Sequence, residues 1–94
     1  MDLVQIGKFI AELRKEQNLT QEQLGEKIGV TNKTISRWEN GNYLPPAEML
    51  LVMSKLFNVS INEILSGKRI MMSNVYWHTY TNIVKLKYEK TYEF

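Results

Sequence analysis

The sequence predicts an all-α domain of five short helices over residues 1–67, followed by a C-terminal extension, 68–94, of a different grammar. Three observations predict it. Apolar side chains recur at three- and four-residue spacing through five segments, the period of one helix face. Each segment has a cap residue or proline in front and an Asn or Gly behind. The stretches between segments are only a few residues long, as a compact helical bundle requires.

In the first segment Asp2 serves as cap, and Leu3, Ile6, Ile10 and Leu13 repeat at 3-4-3 spacing with Phe9 beside them. This predicts an amphipathic helix to about Gln17, with Lys8, Glu12, Lys15 and Glu16 on its wet face. Asn18 suits a left-handed stop, and Leu19 reaches back to the core.

The next 22 residues, TQEQLGEKIGVTNKTISRWENG from Thr20 to Gly41, read as two short helices joined by a tight turn. Thr20 caps the first, and Gln23 completes a capping box. Leu24 and Ile28 share one face, and Gly29 supplies the positive φ that ends the helix. Val30 turns back toward the core. Thr31 caps the second helix, whose inward face holds Ile35 and Trp38, and Asn40-Gly41 stops it. Gly25 lies mid-helix, where it costs about 1 kcal/mol relative to Ala. Such a glycine implies that another backbone comes close.

Residues 42–46, NYLPP, form a loop stiffened by Pro45 and Pro46, and Pro46 suits the start of a helix. Met49, Leu50, Met53, Leu56 and Phe57 then mark a mostly buried fourth helix, stopped by Asn58. Ser60 and Glu63 form a capping box for a short fifth helix, INEIL, which Gly67 ends. Beyond Gly67, residues 75–94 are rich in aromatic and β-branched types. Val84, Leu86 and Tyr88 alternate with charged neighbours, as a strand does. Tyr76, Tyr80, Val84, Tyr88 and Tyr92 are also four apart, as on a helix. A strand or hairpin is the reading favoured here, with a poorly ordered tail, a dimer surface and a fold-back onto the bundle as the other readings.

Composition narrows the function. The chain has no cysteine and one histidine, His78, so a zinc finger, a disulfide framework and a Cys or His catalytic centre are not expected. No metal or other cofactor is expected. Ser, Asp and Glu without such neighbours make no nucleophile-and-base set, so no enzyme is expected. No stretch approaches eighteen uninterrupted apolar residues, so no membrane span is expected. The N-terminus lacks the basic lead and cleavage site of a secretory signal, which makes the cytoplasm the expected location. Charge is nearly silent: residues 1–68 carry eight basic and eight acidic side chains, residues 69–94 four and two, together the 12 and 10 behind the net +2. Any argument for a charged partner rests on where the charges sit.

The second helix of the 20–41 stretch, residues 31–39, places Asn32, Lys33, Ser36 and Arg37 at three-to-four spacing on its outward side. Asn, Lys and Arg are the side chains that bridge base edges or hold phosphates. Free N–H groups at a helix N-terminus add a site for phosphate. An ordinary solvated helix face is the competing reading of such residues.

The stretch resembles the helix-turn-helix of the Cro/repressor-like, XRE-type family. The carrying residues are Gln21, Leu24, Gly29, Thr31, Ile35, Trp38, Glu39, Asn40 and Gly41, and the similarity spans roughly residues 3–67. The resemblance implies a repressor-like DNA-binding domain whose helix 31–39 enters the major groove of duplex DNA. It implies base contacts by Asn32, Lys33, Arg37 and, as a lesser candidate, Thr34. Arg37 suits guanine and Asn32 adenine, and either can instead hold a phosphate. Backbone contacts are expected from Gln21 and its neighbouring N–H groups, with Thr20, Ser36, Asn40 and Tyr43 as further candidates. The family commonly pairs the positions of Arg14 and Glu39 in a partly buried salt bridge. Relatives often carry Lys or Arg in the loop at 42–46, where this chain has Asn42, Tyr43 and Leu44. The expected function is sequence-specific transcriptional regulation, as a repressor, by a homodimer on a pseudo-palindromic operator. Two alternatives stand beside it: an antitoxin that binds a toxin and regulates its own operon, and a protein-interaction module.

Overall fold

The structure is a computed structural model that describes residues 1–70. Five helices follow in order: α1 (Leu3–Glu16), α2 (Gln21–Ile28), α3 (Asn32–Glu39), α4 (Ala47–Phe57) and α5 (Ile61–Ser66). The strand or hairpin expected at residues 75–94 lies outside the described residues.

Side-chain caps open four of the five helices. Asp2, Thr20, Thr31 and Ser60 each accept a hydrogen bond from a backbone N–H in the first turn, and the boxes at Thr20/Gln23 and Ser60/Glu63 are complete. Pro46 precedes α4 without a side-chain bond, its ring presetting the entry angle. The stops share one geometry. Asn18, Gly29, Gly41, Asn58 and Gly67 all have positive φ. In each case the next residue donates its N–H five residues back: Leu19 to Arg14, Val30 to Gly25, Asn42 to Arg37, Val59 to Ser54 and Lys68 to Glu63. This bond pattern satisfies carbonyls that a helix end would otherwise leave bare. Two boundaries differ slightly. α1 ends at Glu16, one residue early. The stop expected at Asn40-Gly41 is present, with Gly41 its left-handed residue. α5 runs one residue past INEIL, to Ser66.

The core collects the predicted faces. Ile6, Phe9, Ile10 and Leu13 of α1 meet Leu24 and Ile28 of α2, Ile35 and Trp38 of α3, Leu50, Met53 and Phe57 of α4, and Val59 and Ile64. α3 packs against both α1 and α2, and α5 packs on α1 and α4. Two glycines let these backbones approach. A Cβ on Gly25 would collide with the Val30 carbonyl oxygen, so the close backbone is the turn itself. A Cβ on Gly7 would collide with the Trp38 and Glu39 carbonyl oxygens, where α1 crosses the end of α3. Below the core, Gln5 Nε2 donates to the Gly67 carbonyl at 2.9 Å, and Arg69 pairs with Glu16 at 2.7 Å. Both contacts tie the exit of α5 to α1.

Candidate functional site

The site is built on α3. Ile35, fully buried, and Trp38, 4% exposed, anchor its inner side. They lie three residues apart, so they hold the rotation of the helix about its axis as well as its position. That rotation directs Asn32, Lys33 and Arg37 outward, and all three are exposed. Among the described residues, no side-chain hydrogen bond or ion pair occupies any of them.

The remaining expected positions divide. Thr34 is half-buried, and its hydroxyl lies 3.1 Å from that of Thr31, the cap residue. Thr20 likewise uses its hydroxyl for capping, at 3.0 Å from the Gln23 N–H. Ser36 is half-buried and accepts from the exposed Asn40 amide at 3.3 Å. Gln21 is half-buried, and its amide donates to Glu39 Oε1 at 3.0 Å. The structure thus gives the Gln21 side chain a partner within the protein.

Arg14 and Glu39 form a bidentate pair. Nε donates to Oε2 at 2.6 Å and Nη2 to Oε1 at 2.9 Å, with the side chains 12% and 7% exposed. Arg14 Nη1 also donates to the Leu19 carbonyl at 2.8 Å. The carboxylate raises the guanidinium pKa above its ordinary value, chiefly through the hydrogen bond. With Gln21 on the same carboxylate, one group joins α1, α2 and the C-terminal end of α3. Fork-to-fork geometry fixes direction as well as distance, so the pair holds α3 in register with the rest of the domain.

Beside α3 lies an open, mostly apolar groove of ≈ 360 Å³ between the turn, the 42–46 loop and the start of α4. Val30, Thr34, Trp38, Leu44 and Met49 line it, and Arg37 and Tyr43 stand at its rim. Tyr43 is 60% exposed, and the Arg37 guanidinium carbon sits 5.9 Å from the centre of its ring. Sequence reasoning missed this contact and the Gln21–Glu39 bond. A tyrosine two residues beyond a left-handed stop was the available signal for the first; nothing in the sequence marked the second.

Comparisons with known proteins agree with this architecture. A family model described as helix-turn-helix matches residues 10–64. The transcriptional activator BcrR of Enterococcus faecalis is 41% identical over 68 residues, 72% of this chain and 33% of that protein. The antitoxin PezA of Streptococcus pneumoniae is 33% identical over 66 residues, 70% of this chain and 42% of that protein. The crystal structure of the phage P22 c2 repressor with a synthetic operator superposes with a TM-score of 0.63 at 36% identity. It covers 67% of this chain and 96% of that one. The chain therefore spans about a third to a half of the length of these curated relatives. The matched region holds the two helices, the turn between them and the anchored face of α3, and the chain belongs to the Cro/repressor-like, XRE-type helix-turn-helix family.

Proposed function

We propose that this chain binds duplex DNA sequence-specifically and regulates transcription, as a repressor, with α3 in the major groove. The observation that carries this reading is the exposed set of Asn32, Lys33 and Arg37, free of side-chain hydrogen bonds and ion pairs among the described residues, on a helix fixed from behind by Ile35 and Trp38. Amide, ammonium and guanidinium groups on a rigid rod match the donor and acceptor pattern of major-groove base edges. Similarity to a repressor whose structure holds operator DNA supports the same placement.

In this reading Arg37 takes guanine O6 and N7, Asn32 takes adenine N6 and N7, and Lys33 reads a neighbouring edge. Thr34 offers its methyl to a thymine. The N-terminal turn of α2, with Thr20 and Gln21, meets one phosphate run. Ser36, Asn40 and the Tyr43 hydroxyl meet the other. Arg14 and Glu39 are structural. One such helix covers only a few base pairs, so the protein acts as a homodimer on a pseudo-palindrome with half-sites about 34 Å apart, one helical turn. A cytoplasmic location and the absence of any catalysed reaction belong to this function.

Selection of bound sites from a random duplex library tests the proposal. Enrichment of a sequence with two-fold symmetric half-sites is the expected result; failure to enrich any sequence rejects it. The likeness to PezA sustains the antitoxin alternative, which keeps the same DNA contact. A small toxin gene next to this one, and a stable complex of the two products, would establish that form. Retained partner binding with no DNA affinity would instead mark a protein-interaction module.

A further inference from the structure

Resting on the reading of α3 as a base reader, we propose that Tyr43 is a positioning residue for Arg37. Its ring holds the guanidinium at one place on the outer face of α3, and so sharpens base preference where Arg37 reads. After α3, the Gly41 N–H donates to the Trp38 carbonyl at 3.1 Å and the Asn42 N–H to the Arg37 carbonyl at 2.9 Å. Gly41 has φ 77°, the left-handed turn this doubled bond requires. The chain is thereby folded back onto Arg37 itself, and the next residue, Tyr43, arrives beside the Arg37 side chain. The loop cannot swing away freely, because Pro45 is fully buried and the adjoining Pro46 has a ring-locked φ.

The guanidinium carbon lies 5.9 Å from the ring centre, within the range where a cation is attracted to an aromatic face. Among the described residues nothing else holds Arg37, whereas Arg14 has three of its nitrogens bonded. A ring contact uses none of the five N–H donors of arginine, so all remain free for a base edge. A free arginine must give up much rotamer freedom to form a bidentate bond, and a resting place on a ring removes part of that cost in advance. Tyr43 is 60% exposed, so its ring contributes little to the core. This contact is how a loop without Lys or Arg contributes to recognition, through the orientation of its neighbour.

The test uses the whole chain, the selected site and single-base variants of that site. Tyr43→Leu is expected to weaken binding to the selected site about two- to fivefold, the exposed cation–π range converted to an affinity ratio. The loss should flatten preference at the same base position that Arg37→Ala flattens. Tyr43→Phe should retain that preference, any loss from its missing hydroxyl being uniform across sequences. In an Arg37→Ala background, Tyr43→Leu should flatten nothing further. Melting temperatures of the variants should match the wild type. Uniform weakening by Tyr43→Leu with preference intact, or equal damage from Phe and Leu, overturns the proposal while leaving DNA reading in place. A wild-type chain that selects no site overturns both.

Discussion

Arg14 and Arg37 carry the same guanidinium into opposite environments. Arg14 sits 12% exposed with Glu39 and the Leu19 carbonyl as partners. Glu39→Ala leaves that partly buried cation without a counter-charge, with the Leu19 carbonyl as its remaining partner and the Gln21 amide stripped of its acceptor. The expected cost is about 3–5 kcal/mol, far above the value of an exposed ion pair. Urea denaturation of the purified domain measures it, and an unchanged midpoint would show that the pair does not support the fold. Arg37 is exposed, so Arg37→Ala should leave the midpoint within about 0.5 kcal/mol. In the proposed reading its effect falls on binding: about 1–3 kcal/mol at the selected site, with relaxed preference at one base position. Equal weakening on all sequences would reassign Arg37 to a phosphate.

At the scale of the elements, the question is what holds α3 in place. Its eight residues are too few to be helical alone, so tertiary packing must stabilise it. Gly7 is central to that packing, because α1 crosses the last carbonyls of α3 there. Gly7→Ala raises helix propensity by about 1 kcal/mol yet forces α1 away from Trp38 and Glu39. Overpacking of this kind costs about 1–3 kcal/mol or more, so the net expectation is a lower melting temperature. A melting temperature above wild type would show that the crossing is looser than described. The exit of α5 is held differently, by an exposed pair. Arg69 lowers the Glu16 carboxyl pKa, chiefly by its hydrogen bonds. A depressed carboxyl pKa contributes stability above the ordinary glutamate value and loses it as pH falls through the depressed one. With side chains 37% and 46% exposed, the contribution is below about 1 kcal/mol. Arg69→Ala should therefore lower the urea midpoint slightly near neutral pH, and the difference should vanish in acid. A difference that persists in acid would exclude the ion pair as its cause.

The whole molecule has little net charge with which to attract a polyanion. Residues 1–68 balance eight basic against eight acidic groups. The exposed face of α3 offers Lys33 and Arg37, and the 42–46 loop offers no cation. Counterion release scales with the cations brought to the DNA, and α3 brings two, so the salt dependence of binding should be shallow, roughly two units of log affinity per log salt for each copy of α3. Titration of the selected site at several salt concentrations measures the slope. A steep slope would place further basic side chains on the DNA. The proposed homodimer should appear as a fixed half-site spacing, since two α3 helices held rigidly would reach only one separation.

The helices, their caps and their stops were legible in the sequence because each is decided within a few residues. A hydroxyl three residues before an N–H, an apolar repeat of three and four, and an Asn or Gly at the end act locally. The outward set of Asn32, Lys33 and Arg37 was legible for the same reason: one helix has one inner face, and Ile35 and Trp38 occupy it. Tertiary structure alone decided the rest. Nothing local requires the Gln21 amide to meet Glu39 or Gly7 to face the Trp38 carbonyl. Those contacts exist because separate helices cross at particular angles, and crossing angles follow from the packing of the entire core.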